Sequence, residues 1–256
     1  MAERRPGAGG VPPPAPGLPL WLVSAVSANS EGCLPGERAD TGASWQLPRG
    51  RHGLPREVVV DHQRQRLLAG AARAVAEHGY VAMTVEHVLV GAGVSRATFY
   101  ENFGSKRECV LVAHEQAVSR LAGEVVGACA GQSEWPAKLA AAVGAAIGFA
   151  TRAPGEALLL ILDALAADPV LASHVVTSND FLVGLLRNGR EQWPRAAALP
   201  ELTERALIGA ATSVIGAKLT AGEADRLASI EPELVQLILM PYLGSEGAHR
   251  MAAATP

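Results

Sequence analysis

Residues 84–108 read TVEHVLVGAGVSRATFYENFGSKRE, and this stretch decides the fold. Thr84 supplies the hydroxyl that an N-cap needs, and the apolar-rich run after it predicts a helix over Val85–Ala92. Gly93 is free to take the left-handed backbone that ends a helix, and Ser95 caps a second helix over Arg96–Phe103. Two short helices this close together have no room for an ordinary antiparallel hairpin, so they form a helix-turn-helix. Val85, Val88 and Leu89 then face Val94, Phe99 and Phe103 in a miniature core, leaving Arg96, Thr98 and Tyr100 toward solvent. Gly104 ends the second helix. Ser105 starts the next, with Glu108 completing a capping box and Lys106 in its first turn. A helix N-terminus that bears a lysine suits a phosphate.

Upstream, DHQRQRLLAGAARAVAEHGY (61–80) places Leu68, Ala71, Ala72 and Val75 at helical spacing. Asp61 is the expected N-cap of that helix and Gly79 its stop. Residues 1–56 differ in kind, holding 9 of the 17 prolines and 9 of the 27 glycines, and are expected to be a disordered extension. Within them Leu18–Ala28 faintly resembles a secretory signal, but prolines crowd its approach. A dispensable extension, or a start placed too early, accounts for it better.

The net charge of -3 divides as +2 for residues 1–56, +1 for 57–107 and -6 for 108–256. No broad basic field exists, so any affinity for nucleic acid must come from the local motif. Cys33, Cys109 and Cys129 are odd in number and widely spaced, without zinc-ligand spacing, so neither a structural metal nor a cofactor is expected. Nucleophile-elbow, Walker, HExxH and dinucleotide motifs are absent and the seven histidines are scattered, which argues against an enzyme. No apolar run predicts a transmembrane span or a membrane partner, and a cytoplasmic location is expected.

Gly79-Tyr80, Thr84-Val85, Ala92-Gly93-Val94-Ser95, Thr98-Phe99-Tyr100, Phe103 and Ser105-Lys106 together resemble the DNA-binding domain of TetR-family transcriptional repressors over Asp61–Arg107. The family usually carries a small alanine where Leu89 stands, which bears on how closely the two short helices cross. The resemblance implies that Thr84, Ser95, Tyr100 and Lys106 clamp the DNA backbone, which fixes position without reading sequence. It implies Arg96, Ala97 and Thr98 as base readers. Arg96 has the fork to hold a guanine edge, and Ala97 and Thr98 have methyl groups to meet a thymine. The same hydroxyls also serve as plain helix caps, and Phe99 and Phe103 read as core.

Beyond Glu108 the sequence is helical throughout. Helices are expected over residues 105–126, 135–151, 155–167, 171–190, 199–221 and 223–243, with Pro232 near a bend or restart. The whole is an all-α chain. Its expected parts are a three-helix DNA-binding domain (57–107), a helical effector-binding and dimerisation domain (108–245) and a flexible tail (246–256). By the resemblance, the middle helices hold an effector pocket, for which Trp135, Phe149, Leu159, Leu162, Asp163, His174 and Phe181 are the candidates. Asn179 is a further polar candidate there. The last two helices form a two-fold dimer through Leu207, Ala210, Val214, Leu234 and Ile238. For each of these residues, a place in the monomer's own core is the competing reading.

The resulting expectation is a homodimeric transcriptional regulator, a repressor released from a palindromic double-stranded DNA operator by a small lipophilic effector. Two other readings stand beside it. One is a small-molecule-binding or protein-interaction helical module whose helix-turn-helix is vestigial, as the weak +1 of residues 57–107 suggests. The other is an activator on the same fold.

Overall fold

The computed structural model describes residues 56–161 and 168–254, and no strand occurs among them. Among the described residues the α-helices are, in order, α1 Arg56–Ala82, α2 Val85–Ala92, α3 Arg96–Asn102, α4 Lys106–Ala130, α5 Trp135–Arg152, α6 Pro154–Ile161, α7 Pro169–Gln192, α8 Thr203–Thr220 and α9 Glu231–Ala253. Short 3-10 turns over Pro194–Ala198, Ala224–Arg226 and Ala228–Ile230 link the last three.

Local chemistry explains most of these boundaries. The α2 cap is reciprocal: Thr84 Oγ1 accepts the His87 N–H at 3.4 Å, and the Thr84 N–H donates to His87 Nδ1 at 3.3 Å. Gly93 ends the helix at φ 61°, where a Cβ would be strained. Ser95 Oγ accepts the Thr98 N–H at 3.1 Å and starts α3. At α4, Ser105 Oγ accepts the Glu108 N–H as expected, but the Glu108 carboxylate takes the Gly104 N–H at 2.7 Å instead of closing a box on Ser105.

Several expected boundaries move. Helix α1 begins upstream of Asp61, which lies exposed inside the helix and is not its cap. Gly79, at φ 71°, kinks α1 and leaves a last turn over Tyr80–Ala82. The helix expected over 199–221 begins only at Thr203, after a bend and turn over residues 199–202. Helix α9 starts later than expected, with Pro232 in its first turn, where a missing N–H costs nothing. Residues 246–253, expected in a flexible tail, are helical. Gly244 (φ 74°) interrupts α9, and the chain resumes because Ala248 and Ala252, one turn apart, are buried in the body core.

Two cores result. The head core joins Leu67, Ala71, Val75, Val88, Phe99 and Phe103 to Cys109 and Val110 of α4. The body core gathers Trp135, Ile147, Phe149, Leu186, Leu234 and Tyr242. Head and body are not separate beads, because Leu159 of α6 and Leu171 of α7, both fully buried, belong to the head core. Helix α1 accepts α2 closely at Gly70, where a Cβ would stand 2.7 Å from the Val88 carbonyl oxygen. Leu89, in place of the usual alanine, is buried in the head core with α2 still packed on α1 and α3.

In the body, Glu204 is fully buried and paired with Arg190, which also donates to the Leu199 and Pro200 carbonyls at 2.6 Å each. Tyr242 donates its hydroxyl to the same carboxylate at 3.2 Å, so α7, α8 and α9 meet on one buried charge. Burial works against the Glu204 anion, but these partners hold its carboxyl below the usual range.

Candidate functional site

The outward face of α3 follows from what its inward face buries. Phe99 and Phe103 are sunk in the head core, so on a helix this short the side chains between them point outward. Arg96, Ala97 and Tyr100 are exposed and Thr98 is half-buried. Tyr100 stands edge-on to Phe99 with ring centroids 5.3 Å apart, which braces the phenol while leaving it open. Ser95 Oγ and Thr98 Oγ1 lie 2.9 Å apart, so the two hydroxyls act as one unit at the start of α3. Thr84 is exposed at the start of α2. The structure therefore brings Thr84, Ser95, Arg96, Ala97, Thr98 and Tyr100 onto the helix-turn-helix surface.

The two basic side chains expected at the DNA are both engaged within the head. Arg96 donates to Glu86 at 2.9 Å, and that hydrogen bond raises its pKa. Both partners are about 60% exposed (60% and 61%), so the pair is of the weak, solvent-screened kind and yields readily to a stronger acceptor. Lys106 is committed more deeply. Its ammonium donates to the carbonyls of Tyr80 (3.0 Å), Met83 (2.9 Å) and Val81 (3.4 Å), and lies 4.9 Å from the Tyr80 ring centroid. Lys106, expected as a phosphate clamp, thus caps the carbonyls left open where Gly79 ends the regular part of α1.

The head is tied to the body at Asp168, which sequence reasoning missed. This residue caps α7 through the Val170 N–H (3.0 Å), accepts Arg107 Nε of α4 at 2.6 Å, and accepts the Tyr80 hydroxyl of α1 at 3.2 Å. Burial disfavours the Asp168 anion, yet the Val170 N–H and Arg107 outweigh it and lower its pKa. Burial, offset in part by Arg107, raises the Tyr80 phenol. The sequence signal was the pair Asp168-Pro169, an N-cap followed by the first-turn proline that helices favour.

Two adjoining apolar cavities, each of about 100 Å³, lie within the body. Phe149 lines the first with Leu121, Leu160 and Ile161, while Leu139, Leu186 and Ile238 line the second. Val125, Ala146, Leu182, Thr212 and Ile215 are common to both. Asn179, the further polar candidate, lines the first cavity. Of the expected pocket residues that are described, Phe149 lines the cavity together with Asn179, and Trp135, Leu159 and His174 do not. Trp135 instead packs between Trp193 and Tyr242 and against Gly189, with Nε1 donating to the Leu185 carbonyl at 3.2 Å. Leu159 faces the head core, since α6 lies against α1. His174 is beside Glu115 (3.6 Å) and lines neither cavity. Leu162, Asp163 and the Phe181 side chain fall outside the described residues. The lining from α4 and α8 went unnoticed because an apolar stripe on a long helix looks alike whether it faces a core or a cavity.

The expected dimer residues divide in two. Leu207, Leu234 and Ile238 are buried in the monomer's own body core. Ala210 and Val214 are exposed on α8, and on the outer side of α9 Leu237 and Met240 are 40% and 42% exposed. The apolar face of these helices is wide enough to serve the core with one edge and solvent with the other.

Among the described residues no helix is long and apolar enough to cross a membrane, and no group of three or more His, Cys, Asp or Glu could hold a metal.

The family model for bacterial regulatory proteins of the tetR family matches residues 67–113. The HTH-type transcriptional repressor AcnR of Corynebacterium glutamicum is 38% identical over 65 residues, 25% of this chain. That match spans 34% of the repressor, about a third of its length. The fatty acid degradation regulator FadR from Bacillus halodurans superposes with a TM-score of 0.60 at 19% identity, over 69% of this chain and 94% of that one. The transcriptional regulator FadR from Bacillus subtilis, in complex with stearoyl-CoA, gives 0.54 at 16% identity, over 69% and 98%. Identities this low establish a shared fold, and the relatives and the matched family are regulators, not enzymes. The head therefore carries the DNA-binding region that the model for bacterial regulatory proteins of the tetR family describes, and the helical chain shares its overall fold with regulators of known structure.

Proposed function

We propose that the protein is a homodimeric, cytoplasmic, sequence-specific DNA-binding regulator, a repressor that a small lipophilic effector releases from a palindromic operator. The observation that carries this reading is the outward face of α3. Arg96, Ala97, Thr98 and Tyr100 stand free of the head core, on a helix held by Phe99 and Phe103. Arg96 reads a guanine edge once it leaves Glu86, and Ala97 and Thr98 meet thymine methyls. Thr84, Ser95 and Tyr100 hold phosphates. Lys106 serves the same contact from behind, by fixing the turn that precedes Thr84.

One such head offers little contact area, and two heads about 34 Å apart fit successive major grooves. The exposed Ala210, Val214, Leu237 and Met240 support a pairing of α8 and α9 with a second copy. The effector reading rests on the apolar cavities and on how the first is built. Leu160 and Ile161 of α6 line it, while Leu159 beside them is fixed in the head core. A ligand that shifts α6 thereby shifts the head, and repression is lost when the two heads no longer match the operator spacing. AcnR is a named repressor, which favours repression over activation.

The test is a gel-shift titration on DNA from beside the protein's own gene. A sequence-selective, salt-sensitive complex at nanomolar to micromolar protein is expected. Equal and negligible affinity for every sequence would instead favour a helical ligand-binding module with a vestigial head.

A further inference from the structure

We infer that the body cavities take an uncharged aliphatic molecule, a hydrocarbon chain bearing a neutral polar group such as a hydroxyl or an ester, and select against carboxylates, CoA thioesters and organic cations. This deepens the reading of the cavities as the effector site and rests on it. Three observations converge.

The cavities adjoin along a shared wall of Val125, Ala146, Leu182, Thr212 and Ile215, which makes one elongated apolar space. Among its described lining residues Phe149 is the one aromatic and aliphatic side chains make up most of the wall, so an aliphatic chain fits better than stacked rings. Among the described lining residues the polar groups are Asn179 and Thr212, both neutral. The Thr212 hydroxyl donates within its own helix, to the Ile208 carbonyl at 2.9 Å, which leaves its oxygen as an acceptor. An amide and an acceptor oxygen match a hydroxyl or an ester and can neutralise no ion.

Among the described residues, the two arginines beside Phe149 are already paired. Arg120, 5.5 Å from the Phe149 ring centroid, donates to both Glu156 carboxylate oxygens at 2.6 and 2.7 Å. Arg152, three residues past Phe149, is paired with Glu124. An anionic head group would have to break one of these pairs or enter unpaired, and a cation would have to capture Glu156 or Glu124 from its arginine.

The test is a calorimetric titration of the full chain, without DNA, using five ten-carbon probes: 1-decanol, methyl decanoate, decanoate, decyltrimethylammonium and decanoyl-CoA. At pH 8 the first two are expected to bind at least tenfold more tightly than the other three. Ala146→Trp, which fills the shared wall, is expected to abolish 1-decanol binding. Decanoate or decanoyl-CoA binding as tightly as methyl decanoate overturns the inference, as does an absence of binding by every probe. The probe series on the unaltered chain decides even if Ala146→Trp fails to fold. Because no DNA is present, a chain that binds 1-decanol but no operator would sink the regulator reading and leave the ligand class standing.

Discussion

Arg107 Nε lies 2.6 Å from Asp168 Oδ2, so the first turn of α4 in the head is paired with the residue that caps α7 in the body. The Tyr80 hydroxyl completes the junction, which gathers α1, α4 and α7 on one carboxylate. Asp168→Asn keeps a capping side chain but removes the charge that holds Arg107. The variant is expected to fold, with faster amide hydrogen exchange at Tyr80–Met83 and in the first turn of α7. Unchanged protection at both places would show that the junction does not couple head to body. The carboxyl is held below its usual range, so its contribution is present above the unfolded pKa near 3.8 and is lost as pH falls through the folded value.

Lys106 is expected to matter for stability before it matters for DNA. Its ammonium donates to the carbonyls of Tyr80 and Met83, which its charge stabilises at the end of α1. Lys106→Met is expected to cost about 1–3 kcal/mol in urea unfolding, the scale of charged hydrogen bonds lost from partly buried acceptors. A stability unchanged within about 0.5 kcal/mol would return Lys106 to the role of a free phosphate contact.

Phe99 and Tyr100 are neighbours with opposite duties. Phe99→Ala empties a fully buried site and is expected to cost about 3–5 kcal/mol, enough to unfold much of the head. Tyr100→Phe should leave the melting temperature unchanged and weaken binding to all DNA sequences by a similar factor, since a phosphate contact reads no bases. Loss of discrimination at a single base position in Tyr100→Phe would contradict that division.

How much was legible in the sequence depends on how local each signal is. Thr84, Gly93 and Ser95 announced α2, the turn and α3 because caps and a left-handed glycine act within three or four residues. The burial of Phe99 and Phe103 followed from their spacing. What could not be read depends on which face of a long helix meets which neighbour. Leu159 looked like a pocket residue because its whole segment is apolar, and only the packing of α6 on α1 decides that it faces the head. Leu207, Leu234 and Ile238 carry the same apolar signal as the exposed Val214, Leu237 and Met240. Lys106 illustrates a third case. Its position in the motif was plain, but the carbonyls that hold it lie more than twenty residues away.

His114 offers a pH signature. It is buried on α4, neither ring nitrogen has a hydrogen-bond partner, and burial together with nearby His174 lowers its pKa to about 4. The unfolded chain therefore binds a proton on His114 between about 6.5 and 4 that the folded chain refuses. Stability from this residue is complete above about pH 6.5 and declines as pH falls toward 4, by up to roughly 3 kcal/mol at 1.36 kcal/mol per pKa unit. Denaturant unfolding of His114→Leu across that window is expected to show a flatter profile than the parent. Parallel profiles would place the proton uptake elsewhere.

The central claim is that α3 reads DNA, and selection of genomic fragments by the purified protein, followed by titration of the best fragment, tests it most directly. The selected sites should be palindromic, with half-sites about one helical turn apart. Affinity should fall steeply with salt, and Arg96→Ala should relax preference at one base position while costing about 1–3 kcal/mol. Recovery of unrelated sequences, bound equally by the parent chain and Arg96→Ala, would contradict it.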